Sequence, residues 1–117
     1  MNMEQSYRAG IDIGSTTVKL VILDEDGAVL FGEYRRHHAH TQETLADLLE
    51  EARTQLGPCR LLAHITGSGS IGLSKAIGIP FTQEVVSVAD AIAKYYPKTD
   101  VAIELGGEDA KIIYFST

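Results

Sequence analysis

The chain has 117 residues, a length typical of one small domain, and 44% of them are hydrophobic, which is enough to form a core. Its 16 acidic and 10 basic residues give a net charge of −6, which argues against a nucleic-acid-binding surface, since that would need a basic stripe. The single cysteine, Cys59, excludes a disulfide framework within one copy, and no apolar run approaches the ~20 residues of a membrane span. We therefore predict a cytoplasmic protein that binds neither nucleic acid nor membrane.

Three strands are predicted in the first third of the chain, where β-branched and aromatic residues are concentrated. They are Ala9–Ile13, Thr17–Asp24 and Ala28–Arg36. The sequence DEDG at Asp24–Gly27 is a strong turn signal between the second and the third. These features predict three consecutive antiparallel strands with short turns.

A helix is predicted from Thr41 to the pair Gly57–Pro58, which would stop it. Thr41 is the predicted N-cap, and Glu43 lies near the positive end of the helix dipole. The apolar residues of this segment recur at helical spacing: Leu45, Leu48, Leu49, Ala52 and Leu56. A buried strand, Arg60–Thr66, is predicted to follow the helix.

Two further helices, an extended piece and two strands are predicted in the rest of the chain. The helices are Gly72–Ile77 and residues 85–96, the extended piece is Ile79–Gln83, and the strands are Asp100–Leu105 and Ala110–Ser116. A run of strands followed by alternating helices and strands predicts an α/β domain with a mixed sheet covered by helices.

Two glycine turns carry the residue types that phosphate binding requires. The first is Gly14-Ser15-Thr16-Thr17 and the second is Gly106-Gly107-Glu108-Asp109. Glycine lets backbone N–H groups approach a ligand without an intervening Cβ, and a turn of such donors suits phosphate oxygens. The hydroxyls add donors and Lys19 adds positive charge. The alternative is purely conformational, since glycine also supplies a positive φ in turns.

Asp12 is the candidate ligand for Mg²⁺ or its waters, because a carboxylate repels phosphate while Mg²⁺ binds a few carboxylates together with substrate phosphates. Asp109 is a second candidate on the metal side, and a turn-capping role is the alternative for either acid. No Walker or Rossmann phosphate motif occurs, since GxxxxGK[ST] is absent and the first turn leads to a strand. We expect both turns to lie at one rim of the sheet and to face a shared anion.

The segment GIDIGSTTVK resembles the first phosphate motif of the actin, sugar kinase and heat-shock-protein superfamily, whose domains have the ribonuclease-H-like fold. IELGGEDAK is similar to its second phosphate motif, and PFTQEVVSVADAIA is similar to the connecting helix. With ITGSG, these segments look most like the ATPase activators of 2-hydroxyacyl-CoA dehydratases (CoA-substrate-specific enzyme activases) and the benzoyl-CoA reductase ATPase subunits. In those proteins, ATP hydrolysis drives low-potential electron transfer from an iron–sulfur cluster to a partner enzyme.

The resemblance implies an actin-like ATPase lobe with a mixed sheet, antiparallel hairpins and flanking helices, and with ATP and Mg²⁺ as cofactors. It implies that Asp12 lies near Mg²⁺, that Lys19 lies near the phosphates and that Glu84 orients the attacking water or Mg²⁺. The implied phosphate contacts are Gly14, Ser15, Thr16, Thr17, Gly106 and Gly107, and the implied metal-side acids are Asp12 and Asp109. One departure is Glu104, where an aspartate is common in the superfamily.

The resemblance runs from about Arg8 to Ser116. It makes residues 1–7 a disordered or tag-like N-terminus, and residues 8–117 the N-terminal ATPase lobe of a longer protein. Cys59 does not match the cluster-ligating cysteines of the activators, so an iron–sulfur cluster is expected only in the parent protein. The nucleotide site of the family is a cleft between two lobes, so this chain alone is expected to hydrolyse ATP negligibly. The implied partners are ATP and a dehydratase- or reductase-like protein, and a homodimer is a further option.

Two other functions fit the same residues. A sugar or other small-molecule kinase of the superfamily would use an acid as base towards a substrate hydroxyl. A non-catalytic, nucleotide-dependent interaction module would open and close on a partner. The histidines of HHAH at positions 37–40 are interpreted as part of a solvated loop, and His64 as a half-buried, hydrogen-bonded residue rather than a metal ligand.

Overall fold

Six β-strands form one mixed sheet in the part of the chain that the computed structural model describes, which is residues 6–67, 99–107 and 110–114. The elements in chain order are β1 (Ser6–Ile13), β2 (Thr17–Leu23), β3 (Val29–Arg36), α1 (Thr41–Leu56), β4 (Cys59–Gly67), β5 (Thr99–Leu105) and β6 (Ala110–Tyr114). The α/β class and the mixed sheet predicted from the sequence are confirmed. The helices predicted at residues 72–77 and 85–96 and the extended piece at residues 79–83 lie outside the described residues.

The strands lie in the order β3-β2-β1-β4-β5-β6. β1, β2 and β3 are consecutive antiparallel neighbours, as predicted, and β4 pairs parallel with β1 because α1 connects β3 to it. β5 runs antiparallel to β4, and β6 antiparallel to β5. β1 begins at Ser6, whose register partner is Arg60, so residues 6 and 7 extend the sheet beyond the boundary predicted at residue 8.

One face of the sheet carries the hydrophobic core, and α1 packs on that face. Side chains alternate along each strand, so the even-numbered residues of β1 and β4 lie on the opposite face, called the open face below. The largest fully buried side chains are Ile11, Ile13, Leu20, Ile22, Leu45, Leu48, Leu49, Leu61, Ile65, Ile103 and Leu105. Burial of one such side chain contributes about 1.5–3 kcal/mol, so this layer holds the helix on the sheet.

α1 has the bounds that the sequence predicts, but its N-cap is His40 instead of Thr41. The first helical turn is closed on the His40 carbonyl oxygen, which accepts the N–H of Thr44 at 3.0 Å and its hydroxyl at 2.8 Å. At the other end, the Gly57 N–H donates to the Arg53 carbonyl oxygen at 2.8 Å.

Within the described ranges, no helix combines the length and the apolar character that crossing a membrane requires.

An ion pair joins α1 to β3. The guanidinium of Arg35 donates to both carboxylate oxygens of Glu51, at 2.5 and 3.1 Å. The hydrogen bond from Arg35 holds the pKa of Glu51 below its ordinary value, and the bond to Glu51 raises the pKa of Arg35. Both side chains are more than a third exposed, so solvent screens the pair and its stabilisation stays below about 1 kcal/mol.

We expect Glu51→Gln to lower the free energy of unfolding near neutral pH by roughly 0.5 kcal/mol. Because the folded-state pKa of Glu51 is lowered, the pair stabilises the fold above the ordinary carboxyl pKa, and this stability is lost as the pH falls through the folded-state pKa. The difference between the two proteins should therefore disappear at an acidic pH below the folded-state pKa of Glu51. Urea unfolding at both pH values measures it, with Glu25→Gln in the exposed β2–β3 turn as control. A difference that persists in acid would contradict the ion pair.

The loop between β3 and α1 contains two consecutive non-glycine residues with positive φ, His38 at 47° and Ala39 at 68°. In this left-handed conformation Cβ approaches the following carbonyl oxygen, at a cost of roughly 1–2 kcal/mol per residue. Both residues are exposed, so core packing does not offset the cost. The hydrogen bonds of the preceding residue, His37, hold the loop in this conformation.

We expect Ala39→Gly to raise the free energy of unfolding by about 0.5 kcal/mol, because relief of the left-handed strain exceeds the entropic cost of glycine. Ala28→Gly is the matched control, since Ala28 is also exposed but has no positive φ, and it should lower stability by about 0.5–1 kcal/mol. Chemical denaturation compares the two variants with the parent chain. Equal destabilisation by both substitutions would show that Ala39 is not strained.

Candidate functional site

The β1–β2 turn is closed by a hydrogen bond of 2.8 Å from the Gly14 N–H to the Thr17 carbonyl oxygen. Ser15 and Thr16 are exposed at its tip. Gly14 does not have a left-handed φ, and an added Cβ would lie 3.4 Å from the Thr17 carbonyl oxygen, an ordinary contact. The conformational alternative, a glycine needed for positive φ, therefore does not apply to Gly14. Because the Gly14 N–H closes the turn, the donors that the turn offers to a ligand are those of its exposed tip, Ser15 and Thr16.

His37 fixes the end of β3 against this turn. It is buried, its N–H donates to the Thr16 carbonyl oxygen at 3.0 Å, and its Nε2 lies 3.1 Å from the Gly14 carbonyl oxygen. The Ala39 N–H donates to Nδ1 at 3.1 Å, so Nδ1 is unprotonated and Nε2 donates its hydrogen to the Gly14 oxygen. The prediction of a solvated HHAH loop is therefore wrong for His37, whereas the other two histidines of that segment are exposed.

Asp12 and Lys19 lie opposite each other on β1 and β2, and both side chains are exposed on the open face. On the other side of Asp12, Thr66 of β4 is its register partner, and the Thr66 hydroxyl donates to Asp12 Oδ1 in a long hydrogen bond of 3.4 Å. Neither Asp12 nor Lys19 forms an ion pair with another residue of the described part of the chain. The three side chains line a pocket of about 240 Å³, together with Val21, His64 and the β1 backbone.

Thr66 and His64 are site residues that sequence reasoning missed. His64 is interpreted from the sequence as half-buried, but it is exposed on the open face, where Gly10 is its register partner. The signal was present in the alternation of β4, whose even-numbered polar residues lie between buried apolar ones. The alternation shows which β4 side chains share a face, but only the pairing of β4 with β1 brings them next to Asp12.

The first glycine of the ITGSG segment has a packing role. At Gly67 the backbones of β1 and β4 approach so closely that an added Cβ would lie 2.6 Å from the Ile13 carbonyl oxygen. No side chain fits at that distance, so Gly67 is required for the two strands to end side by side. Residues 68 and 69, which complete the segment, lie outside the described residues.

The second glycine turn lies at the opposite end of the sheet, so the prediction of a shared rim is wrong for this structure. Because β5 runs antiparallel to β4, Leu105 pairs with Cys59 at the start of β4. Ile13, which precedes the first turn, pairs with Gly67 at the end of β4. Eight residue steps of β4 separate these ends, roughly 25 Å at about 3.3 Å per residue.

The contacts of α1 also place the two turns at opposite ends of the sheet. Near its C-terminus, the Arg53 guanidinium donates to the Gly106 carbonyl oxygen at 3.2 Å. Its N-terminus follows the loop in which His37 is bonded to the first turn. The helix from Thr41 to Arg53 lies between the two contacts, about 18 Å at 1.5 Å per residue. Gly106 and Gly107 therefore do not share an anion with the first turn in this arrangement.

The other residues that the sequence singles out lie partly inside and partly outside the described ranges. Glu84 and Asp109 lie outside the described residues. Glu104 is held in an ion pair with Arg60 across β4 and β5. Cys59 is fully buried and burial raises the pKa of its thiol, which makes it an unreactive cysteine. Among residues 6–67, 99–107 and 110–114, no group of three or more His, Cys, Asp or Glu side chains is placed to hold a metal ion.

Neither comparison with known proteins finds a relative of this chain. A scan against protein-family models finds no matching family, and a search of curated proteins finds no match.

We expect spin labels at Ser15→Cys and Gly107→Cys to be separated by about 25 Å or more, as the two ends of the sheet are. Both positions are exposed, and an added Cβ at Gly107 meets no heavy atom within 4 Å. Pulsed electron paramagnetic resonance measures the distance. The buried thiol of Cys59 should stay unlabelled, which labelling of the parent chain checks. A distance below roughly 15 Å would put both turns at one rim and restore the shared phosphate site.

Proposed function

We propose that the chain is a nucleotide-binding lobe of an ATPase and that it binds MgATP through the β1–β2 turn. The supporting observation is the meeting of an acid, a base and hydroxyls at one end of the sheet. Asp12 lies opposite Lys19 and beside Thr66, and Ser15 and Thr16 are exposed on the adjoining turn. Carboxylates and phosphate oxygens are the ligands that Mg²⁺ binds in proteins, and ammonium and hydroxyl groups donate to phosphate.

The residues have distinct roles in this proposal. Asp12 holds Mg²⁺ directly or through a bound water, and the Thr66 hydroxyl helps to orient its carboxylate. Lys19 contacts phosphate, for which a compact ammonium with three donors is suited. Asp12 and Lys19 face each other without an ion pair among the described contacts, which leaves both charges available to a ligand. The bound metal would neutralise phosphate charge, which is its usual contribution to phosphoryl transfer.

The finer assignment that we propose is a ribonuclease-H-like lobe similar to the activators of 2-hydroxyacyl-CoA dehydratases. Two features support it: the segment GIDIGSTTVK forms a strand, a turn and a strand, and a parallel crossover follows three antiparallel strands. In this proposal hydrolysis requires a second lobe, Glu84 orients the water, and the partner is a dehydratase- or reductase-like enzyme. Gly106 and Gly107 are not part of the phosphate contact.

One observation favours a second candidate function, a nucleotide-dependent interaction module without turnover. The two glycine turns are separated by roughly 25 Å, so the first turn alone contacts phosphate from one side only. In phosphoryl transfer, catalysis depends on groups that stabilise both the attacking and the leaving oxygens. A one-sided contact supports binding more readily than hydrolysis.

We expect the chain to bind MgATP and Asp12→Asn to weaken that binding about tenfold, which corresponds to loss of one charge-assisted contact. Isothermal titration calorimetry measures both affinities. Asp26→Asn is the matched control, because Asp26 has the same charge and lies exposed in the β2–β3 turn at the other end of the hairpin, and it should change the affinity less than twofold. Without Mg²⁺, Asp12→Asn should bind ATP no more weakly than the parent chain, since Asp12 acts through the metal and its carboxylate alone repels phosphate.

Other outcomes decide between the two functions or contradict both. No binding of MgATP by the correctly folded parent chain would overturn the nucleotide proposal. Asp12-dependent phosphate release after addition of a second lobe would support the ATPase. Binding of MgATP without release under the same conditions would support the interaction module.

A further inference from the structure

A second pocket of about 140 Å³ lies between the β1–β2 turn and the loop after β3. It is separate from the pocket at Asp12, and its lining residues are Ser15, Thr16, Arg36, His37, His38 and Ala39. Its volume is several times the ~30 Å³ that one water occupies in the liquid. The pocket can therefore hold a small polyatomic group.

Three exposed residues of this lining carry side-chain hydrogen-bond donors. Ser15 and Thr16 offer exposed hydroxyls, Arg36 offers an exposed guanidinium, and none of the lining residues is an acid. A guanidinium presents five N–H donors in a planar fork that matches phosphate oxygens. The cation and the hydroxyls of this lining favour an anion, although the net charge of the whole chain is −6.

Arg36 differs from three other arginines of the described chain in having no described partner. Arg35, Arg53 and Arg60 are each held by a glutamate. No hydrogen bond or ion pair joins Arg36 to any residue in the described ranges. Its charge is therefore not neutralised within that part of the protein.

The pocket is held in shape before any ligand arrives. His37, which lies between Arg36 and His38, is bonded to the carbonyl oxygens of Thr16 and Gly14 and accepts the Ala39 N–H. These bonds fix the donors of the loop against those of the turn, which reduces the entropy lost on binding. α1 begins two residues after Ala39, so the positive end of the helix dipole lies close to the pocket.

We infer that this pocket binds a terminal phosphate group of a polyphosphate chain, with Arg36 as the main contact. Arg36 pairs with Thr17, which shares the open face with Lys19. Arg36 lies two strands and two register positions from Asp12, about 12 Å at the usual strand spacing and rise per residue. A chain of phosphates spans such a gap, whereas a single phosphate reaches one pocket only. The inference rests on the proposed function for the identity of the polyphosphate, a nucleoside triphosphate, and it adds Arg36 to the residues that select it.

The test uses inorganic tripolyphosphate without Mg²⁺, titrated at low salt by calorimetry or by amide chemical shifts. We expect Arg36→Gln to weaken binding about tenfold, the scale of one lost hydrogen bond to a charged group. Arg36→Lys should restore part of the loss, because the charge remains while the planar fork does not.

Arg8→Gln is the control, since Arg8 is also exposed on the open face but lies four residues before Asp12, and its effect should stay below twofold. Inorganic phosphate should bind more weakly than tripolyphosphate to the parent chain.

The outcomes separate this inference from the proposed function. Equal weakening by Arg36→Gln and Arg8→Gln, or no binding of tripolyphosphate, would overturn the phosphate pocket. MgATP binding that depends on Asp12 but not on Arg36 would also overturn it and leave the nucleotide function standing. Arg36-dependent binding of tripolyphosphate by a chain that does not bind MgATP would keep the pocket and overturn the nucleotide function.

Discussion

The parallel pairing of β1 with β4 is the constraint on which the rest of the structure depends. Parallel neighbours need a crossover, and here α1 supplies it, so one face of the sheet is covered by the helix while the open face keeps its polar side chains. The same pairing brings the carboxyl ends of two strands to one edge, where Asp12 meets Thr66 and Ile13 meets Gly67. Ligands of open α/β sheets bind outside such carboxyl ends, where the chain leaves neighbouring strands in different directions.

The charge at this edge is set by local pairing and not by the acidic excess of the whole chain. Arg35 and Arg60 are paired with glutamates on neighbouring elements, and Arg53 is paired with Glu50 of its own helix. Lys19 and Arg36 have no such partner among the described residues and lie at the same end of the β2–β3 pair. A protein with a net charge of −6 can therefore present a positive local field at one rim.

The elements could be predicted because their signals are local, whereas the site depends on contacts between distant segments. The apolar spacing of α1 and the stop at Gly57 give its bounds without knowledge of any partner. The direction of β5 could not be predicted, because residues 68–98 separate it from β4 and its own alternation is the same in either direction. His37 shows the same limit: its burial follows from bonds to Gly14 and Thr16, more than twenty residues earlier.

The helix dipole gives a physical reason why two turns of similar sequence differ as anion sites. The N-terminus of α1, with its positive end, lies on the side of the first turn, where His37 joins the loop to Gly14. The negative C-terminus lies beside the second turn, whose Gly106 carbonyl oxygen accepts a hydrogen bond from Arg53. Arg53 is itself paired with Glu50, so its charge is already compensated there. The helix dipole thus favours an anion at the first turn and opposes one at the second, and because β5 is antiparallel to β4 the two turns lie at opposite ends of this sheet.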